Sequence, residues 1–199
     1  REVEELASTA VVASVPWYYA KARAYQHGDQ LEIDPETMGY GYAATDTTKQ
    51  VVQYAAVRDR GTSISLLVSG ADADGRPTKL GDDVMVPFRA YMNQVKVAGV
   101  VLTCESWDAD KVQVLARIKT DPMVLNAQGE RIAGSGKPVV DAINGYLRNI
   151  VYGGALNKTK LVDAIQAAEG VVDVVLTDVL YSTDGQTYAQ VTGNNYGAR

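Results

Sequence analysis

Twice along this chain a helix-like stretch closes on a glycine and a run of β-branched residues starts at once. Val97-Ala98-Gly99-Val100-Val101-Leu102 does so first, and Ala168-Glu169-Gly170-Val171-Val172-Asp173 does so again. Glycine tolerates the left-handed backbone that commonly closes a helix, and the stiff χ1 of valine suits an extended strand. A helix joined in this way can cover its apolar stripe by lying across a sheet, so each half is expected to be a helix on a small antiparallel sheet. The expected class is α+β: an N-terminal helical segment followed by two small helix-plus-antiparallel-hairpin units. Common helix-to-strand grammar and duplication explain the recurrence equally well.

The expected regions are an N-terminal helical arm over 1–30, a first α+β unit over 31–122, and a second over 123–199 with a polar C-terminal tail. Residues 2–27 read as helical, divided at Pro16, which fits the first turn of the second piece because its missing N–H is not needed there. Trp17, Ala20 and Ala24, with Tyr18, Ala22 and Tyr25, keep helical spacing up to a stop at Gly28, with His27 in the last turn. Residues 34–35 and 39–42 read as irregular chain. Strands are expected over 49–58 and 63–69, joined by Asp59-Arg60-Gly61, and 72–77 is a turn. Val84, Phe88, Tyr91, Met92 and Val95 share one face of a helix over 82–98 that stops at Gly99. A hairpin is expected between 100–104 and 111–119. Turns at 121–122 and 126–129 precede helices near 139–149 and 159–168. Gly170 ends the second, and a strand over 171–181 follows with a partner near 187–192. The tail over 193–197 reads as turn-like.

At 199 residues the chain holds one domain or two small ones, on a prior of about 150 residues each. Its 46% hydrophobic and 22% charged residues can bury a core. A net charge of −5 argues against general nucleic-acid binding. A single cysteine, Cys104, excludes an internal disulfide and a multi-cysteine metal site, and a single histidine, His27, excludes a two-histidine motif. With no apolar run near the roughly 18 residues of a membrane span, the expectation is a soluble protein without a membrane partner. No basic-then-apolar leader stands at the front. Arg1, followed at once by helix-like residues 2–7, suggests a piece of a longer chain.

Gly134-Ser135-Gly136-Lys137 approaches a phosphate loop, in which backbone N–H groups before a helix cradle anions. The full pattern needs a glycine where Arg131 stands and a Ser or Thr where Pro138 stands. Asp72/Asp74 and Asp108/Asp110 are paired carboxylates of the kind that hold metal ions on a strand, but both pairs fall in turns, where Asp is at home. His27 reads as a helix-end residue. Cys104 reads as a small buried hydrophobe without a basic sequence neighbour to activate it. No catalytic, cofactor or metal residue is assigned. The aromatic content is skewed to 12 Tyr against 2 Trp and 1 Phe, which suits half-wet subunit contacts or is simple bias. The candidate subunit-interface residues are Trp17, Tyr18, Tyr25, Tyr188 and Tyr196.

Five stretches in order resemble the baseplate J-like family of phages and prophages. Trp17-Tyr18, Lys21-Ala22 and Ala24-Tyr25-Gln26-His27-Gly28-Asp29-Gln30-Leu31 are similar to its "WY…KAxAxQxGDxL" signature. Residues 52–57 resemble its "YAAV" strand, and 88–100 its "F..Y...VK.AGV" helix end. Residues 120–129 resemble its "DPxVLxxxG" turn, and 138–147 with 161–171 its last two helices. The resemblance covers roughly residues 16–181. His27 departs from it, standing where an aromatic is commoner, and Tyr152-Gly153-Gly154 replaces an Asn-Gly turn.

This resemblance implies a structural, non-enzymatic role: a wedge subunit of a phage tail baseplate, ringing the hub with copies of itself and other tail proteins, within the virion after assembly in the bacterial cytoplasm. Contacts with other chains are then expected from 17–31 and from the tail after Tyr181, with tail deletion leaving the fold intact. The alternatives are a metal-dependent nucleotidyl or phosphoryl transferase using Asp72 and Asp74, and a carbohydrate-binding module using exposed Tyr and Trp107.

Overall fold

The computed structural model describes residues 11–33, 35 and 39–197. It is a mixed α+β protein, rich in strand, whose chain divides into two compact units, residues 1–109 and 110–199. No described helix is long and apolar enough to cross a membrane.

In the first unit, α1 (Val15–Arg23) carries Pro16 in its first turn, and the Ser14 hydroxyl caps it by accepting the Trp17 N–H at 3.3 Å. The part of the expected helix over 2–10 lies outside the described residues. The helix stops at Arg23, short of Gly28, because the next side chains turn inward: Tyr25 and Gln26 are both buried. Gly28, at φ +88°, serves the turn that follows. β1 (Glu32–Ile33) pairs antiparallel with β2 (Tyr40–Gly41), the latter within a stretch expected to be irregular.

The hairpin of β3 (Tyr54–Asp59) and β4 (Ser63–Ala71) runs from Tyr54↔Ser69 to Asp59↔Ile64. Beyond it, the Asp72 carboxylate accepts the Asp74 and Arg76 N–H groups, and β5 (Pro77–Thr78) returns alongside β4. The next helix, α2 (Asp82–Val95), buries Met85, Phe88, Tyr91, Met92 and Val95. It ends at Val95 because Lys96 turns extended and its Nζ donates to the Val100 carbonyl at 2.8 Å, so Gly99 shapes the loop and not the helix end.

The expected hairpin of 100–104 with 111–119 does not form. β6 (Val101–Glu105) lies parallel to β4, with Leu102 beside Ile64 and Cys104 beside Leu66. Parallel neighbours need a long crossover, and β5 with α2 supplies it. Matching apolar faces decides the pairing: Leu102 and Cys104 join the Leu66, Val68 and Phe88 core. Each such fully buried Leu or Phe contributes roughly 1.5–3 kcal/mol.

In the second unit, β7 (Lys111–Thr120) pairs antiparallel with β9 (Val171–Ser182) through two register shifts. The chain between them holds α3 (Pro138–Arg148), β8 (Ala155–Asn157) and α4 (Lys158–Gln166), whose N-terminus is capped by Asn157. Inward Val112, Val114 and Ile118 of β7 pack with Leu161 and Ile165 of α4 and Val179 of β9. The short β10 (Ala189–Gln190) adds to β9 at Tyr181 and Leu180. The tail, expected as a turn, is a strand: β11 (Asn195–Gly197) pairs with β8.

Candidate functional site

Three of the five expected interface residues, Trp17, Tyr18 and Tyr25, fall in or against the core of the first unit, and Tyr25 lies in its aromatic cluster. Tyr25 stands edge-on to Phe88 at 5.3 Å and 5.2 Å from Tyr91, and Tyr42 stacks on Tyr91 at 5.9 Å and 9°. Burial, then the neighbouring Tyr42, pushes the Tyr25 hydroxyl up to about 12, and the same two causes raise Tyr91. The Tyr91 hydroxyl donates to the Lys21 carbonyl at 2.9 Å, tying α2 to α1.

Beside these rings, the buried Gln26 gathers three segments. Its amide donates to the Ala44 carbonyl at 3.0 Å and to Asp29 at 3.1 Å, and its oxygen accepts the Asp46 N–H at 2.5 Å. Asp29 also holds Lys49 at 2.6 Å. His27 meets the Tyr25 hydroxyl through Nδ1 at 3.1 Å, and its N–H donates to the Lys49 carbonyl. His27 therefore sits in a loop, not in a helix's last turn.

Of the five expected interface residues, Tyr18 and Tyr25 are buried in the core of their own unit. Trp17 is half-buried, edge-on to Tyr18 at 4.9 Å, with the Lys21 ammonium 5.7 Å from its ring. Tyr188 keeps 41% of its surface exposed. Tyr196 stacks on Tyr181 at 4.1 Å and donates to the Asp110 carboxylate at 2.7 Å, so the tail fastens its own unit. These contacts argue against the expectation that the tail could be removed without harm to the fold.

The other candidates scatter. Asp72 spends its lone pairs on its own turn, and Asp74 lies 3.8 Å from Arg76. Asp110 holds Tyr196, while Asp108 is exposed. Among the described residues, no group of three or more His, Cys, Asp or Glu side chains is placed to hold a metal ion. Burial pushes the Cys104 thiol up to about 12, against the lowering effect of Arg89. In the Gly134–Lys137 loop, the Ser135 carbonyl accepts from Arg131, which also pairs with Glu169 at 2.8 Å, and Lys137 lies 3.5 Å from Glu130. Trp107 is 43% exposed, with its ring N–H on Glu105.

No family model matches this chain, and no match emerges among curated proteins.

One feature escaped sequence reading although its signal was present. In Lys111-Val112-Gln113-Val114-Leu115-Ala116-Arg117-Ile118-Lys119, polar and apolar residues alternate almost without a break. On the strand this alternation puts three cations on one face, and the sheet order β10-β9-β7 makes that strand an edge.

Proposed function

We propose that this chain is a structural wedge subunit of a phage or prophage-derived tail baseplate, assembling symmetrically around the tail hub with copies of itself and with other tail proteins. The reading rests on the order of the five stretches that resemble the baseplate J-like family. It is supported by their roles in the fold. In the first unit, the stretches containing Tyr25, Gln53 and Phe88 meet: the Tyr25 and Phe88 rings touch, and Arg23 donates to the Gln53 carbonyl. In the second, the turn after Asp121 meets the end of the last helical stretch, where the Asp121 N–H donates to the Gly170 carbonyl at 2.9 Å. Residues in such places specify a scaffold, and a scaffold protein works through its surfaces.

In this reading the two α+β units, with α1 packed into the first, are the body of the subunit, and the protein resides in the virion. Assembly draws on several moderate interfaces, with Tyr188 among the exposed contributors. The test is light scattering of the protein with its tail partners, together with electron microscopy of tail particles made with and without it. Symmetric oligomers and tails that lack a baseplate when the chain is missing are expected. A strictly monomeric protein that never enters tail particles overturns the reading.

A further inference from the structure

β7 is, among the described residues, the longest strand that ends a sheet. Among the described residues it pairs with β9 alone, so its ten residues leave one side of the backbone ladder open over about 34 Å. Edge strands are normally kept short, covered, or interrupted by inward charges. In β7 the inward side chains are Val112, Val114, Ala116 and Ile118, as in a central strand. The β6 edge of the first unit differs, since its Cys104 carbonyl is taken by the Arg89 Nε at 3.1 Å.

The outward row of β7 says what the edge accepts. In a chain of net charge −5, every charged residue of this strand is a cation: Lys111, Arg117 and Lys119, all on one face with Gln113 and Leu115. The strand already shows its pairing chemistry on the other side, where Lys119 stands opposite Asp173 and Arg117 opposite the exposed Val175. A second copy of β7 is a poor occupant. Pairing two β7 strands with their apolar faces on the same side sets the cations of both on one surface, at cross-strand and diagonal distances where like charges repel.

We propose that the open edge of β7 is a strand-addition site for an extended segment of another protein, with carboxylates at the alternate positions that face Arg117 and Lys119. Main-chain hydrogen bonds supply the attachment, and the outward charges select the partner. The site stands on the geometry of β7 and does not depend on the tail reading.

The experiment titrates the full chain with a fluorescent strand-length peptide alternating valine with glutamate, and with the same peptide carrying lysine for glutamate. Anisotropy reads affinity, and backbone hydrogen exchange reads location. The glutamate peptide is expected to bind about tenfold more tightly or better, slowing exchange within 111–120. Added salt should erase the preference. The double variant Arg117→Glu, Lys119→Glu, its circular dichroism compared with the parent, should reverse it. If that variant does not fold, the salt titration and exchange map on the parent protein decide. Equal binding of both peptides, no binding, or protection elsewhere overturns the proposal. So does self-association that protects β7 without peptide, because the occupant is then a second copy.

Discussion

Tyr196 lies flat on Tyr181, ring centroids 4.1 Å apart, while its hydroxyl reaches the Asp110 carboxylate at 2.7 Å. One residue of a polar tail thus joins the last strand to β9 and to the start of the second unit. Asn194 and Asn195 add bonds to Thr159 and Asn157 at the N-terminus of α4. Tyr196→Ala removes a stacked pair and a charge-assisted hydrogen bond and should destabilise the second unit by about 2–3 kcal/mol, whereas Tyr196→Phe should cost about 1 kcal/mol. Urea unfolding followed by circular dichroism checks both values. A tail that served only other chains would leave the isolated protein's midpoint unchanged.

Gly170 holds φ at +77°, and a Cβ there would fall 2.8 Å from the Leu125 Cγ, which is itself buried. Gly170→Ala combines left-handed strain with an overlap against packed carbon and is expected to cost about 2–4 kcal/mol. Gly75, also at positive φ but with open space around it, should cost only the strain of about 1 kcal/mol when changed to Ala. Thermal unfolding of the two variants side by side separates backbone strain from overlap.

Gln26→Ala strands the Ala44 carbonyl and the Asp46 N–H that its amide satisfies, and releases Asp29 from one of its partners. The expected loss is about 2 kcal/mol, moderated because the freed groups lie near solvent. Hydrogen exchange at Asp46 and Thr48 should accelerate in the same variant. Unchanged exchange there would mean that the loop holds itself.

Much of this architecture could be read from residue pattern. Pro16 marked a first turn, the Phe88–Val95 face marked α2, and Asp72 and Asn126 marked turns that their carboxylate and amide oxygens do hold. The misreadings share a physical cause. Gly28 and Gly99 take the positive φ expected of helix-closing glycines, yet each helix ends several residues earlier, where Tyr25 and Gln26, or Lys96, find better partners off the helix. Which strand β6 joins depends on the apolar face of Ile64 and Leu66, nearly forty residues away in sequence, and no local signal carries that. Tyr18 and Tyr25 looked like surface residues by chemistry. Core tyrosines are tolerable here in part because a hydroxyl can reach a ring nitrogen or a carbonyl, as Tyr25 reaches His27 and Tyr91 reaches Lys21.

Cys104 should resist thiol reagents. Its side chain is buried under α2, and burial holds the thiol near 12, so little thiolate exists at neutral pH and access is poor. Labelling with a disulfide reagent is expected to be negligible in buffer and complete in denaturant. Labelling at the unfolded rate in buffer would mean that β6 leaves the sheet readily.

The aromatic cluster predicts how the first unit responds to base. Tyr25, Tyr42 and Tyr91 are all raised above their ordinary value, chiefly because burial disfavours the phenolate. A raised folded-state value means that the unfolded chain loses these protons first. The stabilising effect is therefore complete below the unfolded value near 10 and declines as pH climbs toward about 12, where Tyr25 ionises in the folded protein. Phenolate absorbance should accordingly show a delayed set of tyrosines that ionises together with loss of near-ultraviolet dichroism. Tyr25→Phe keeps the ring against Phe88 while deleting one ionising group. In that variant the alkaline loss of the first unit should move to higher pH, and an unmoved transition would place the driving titration on Tyr91 or Tyr42 instead.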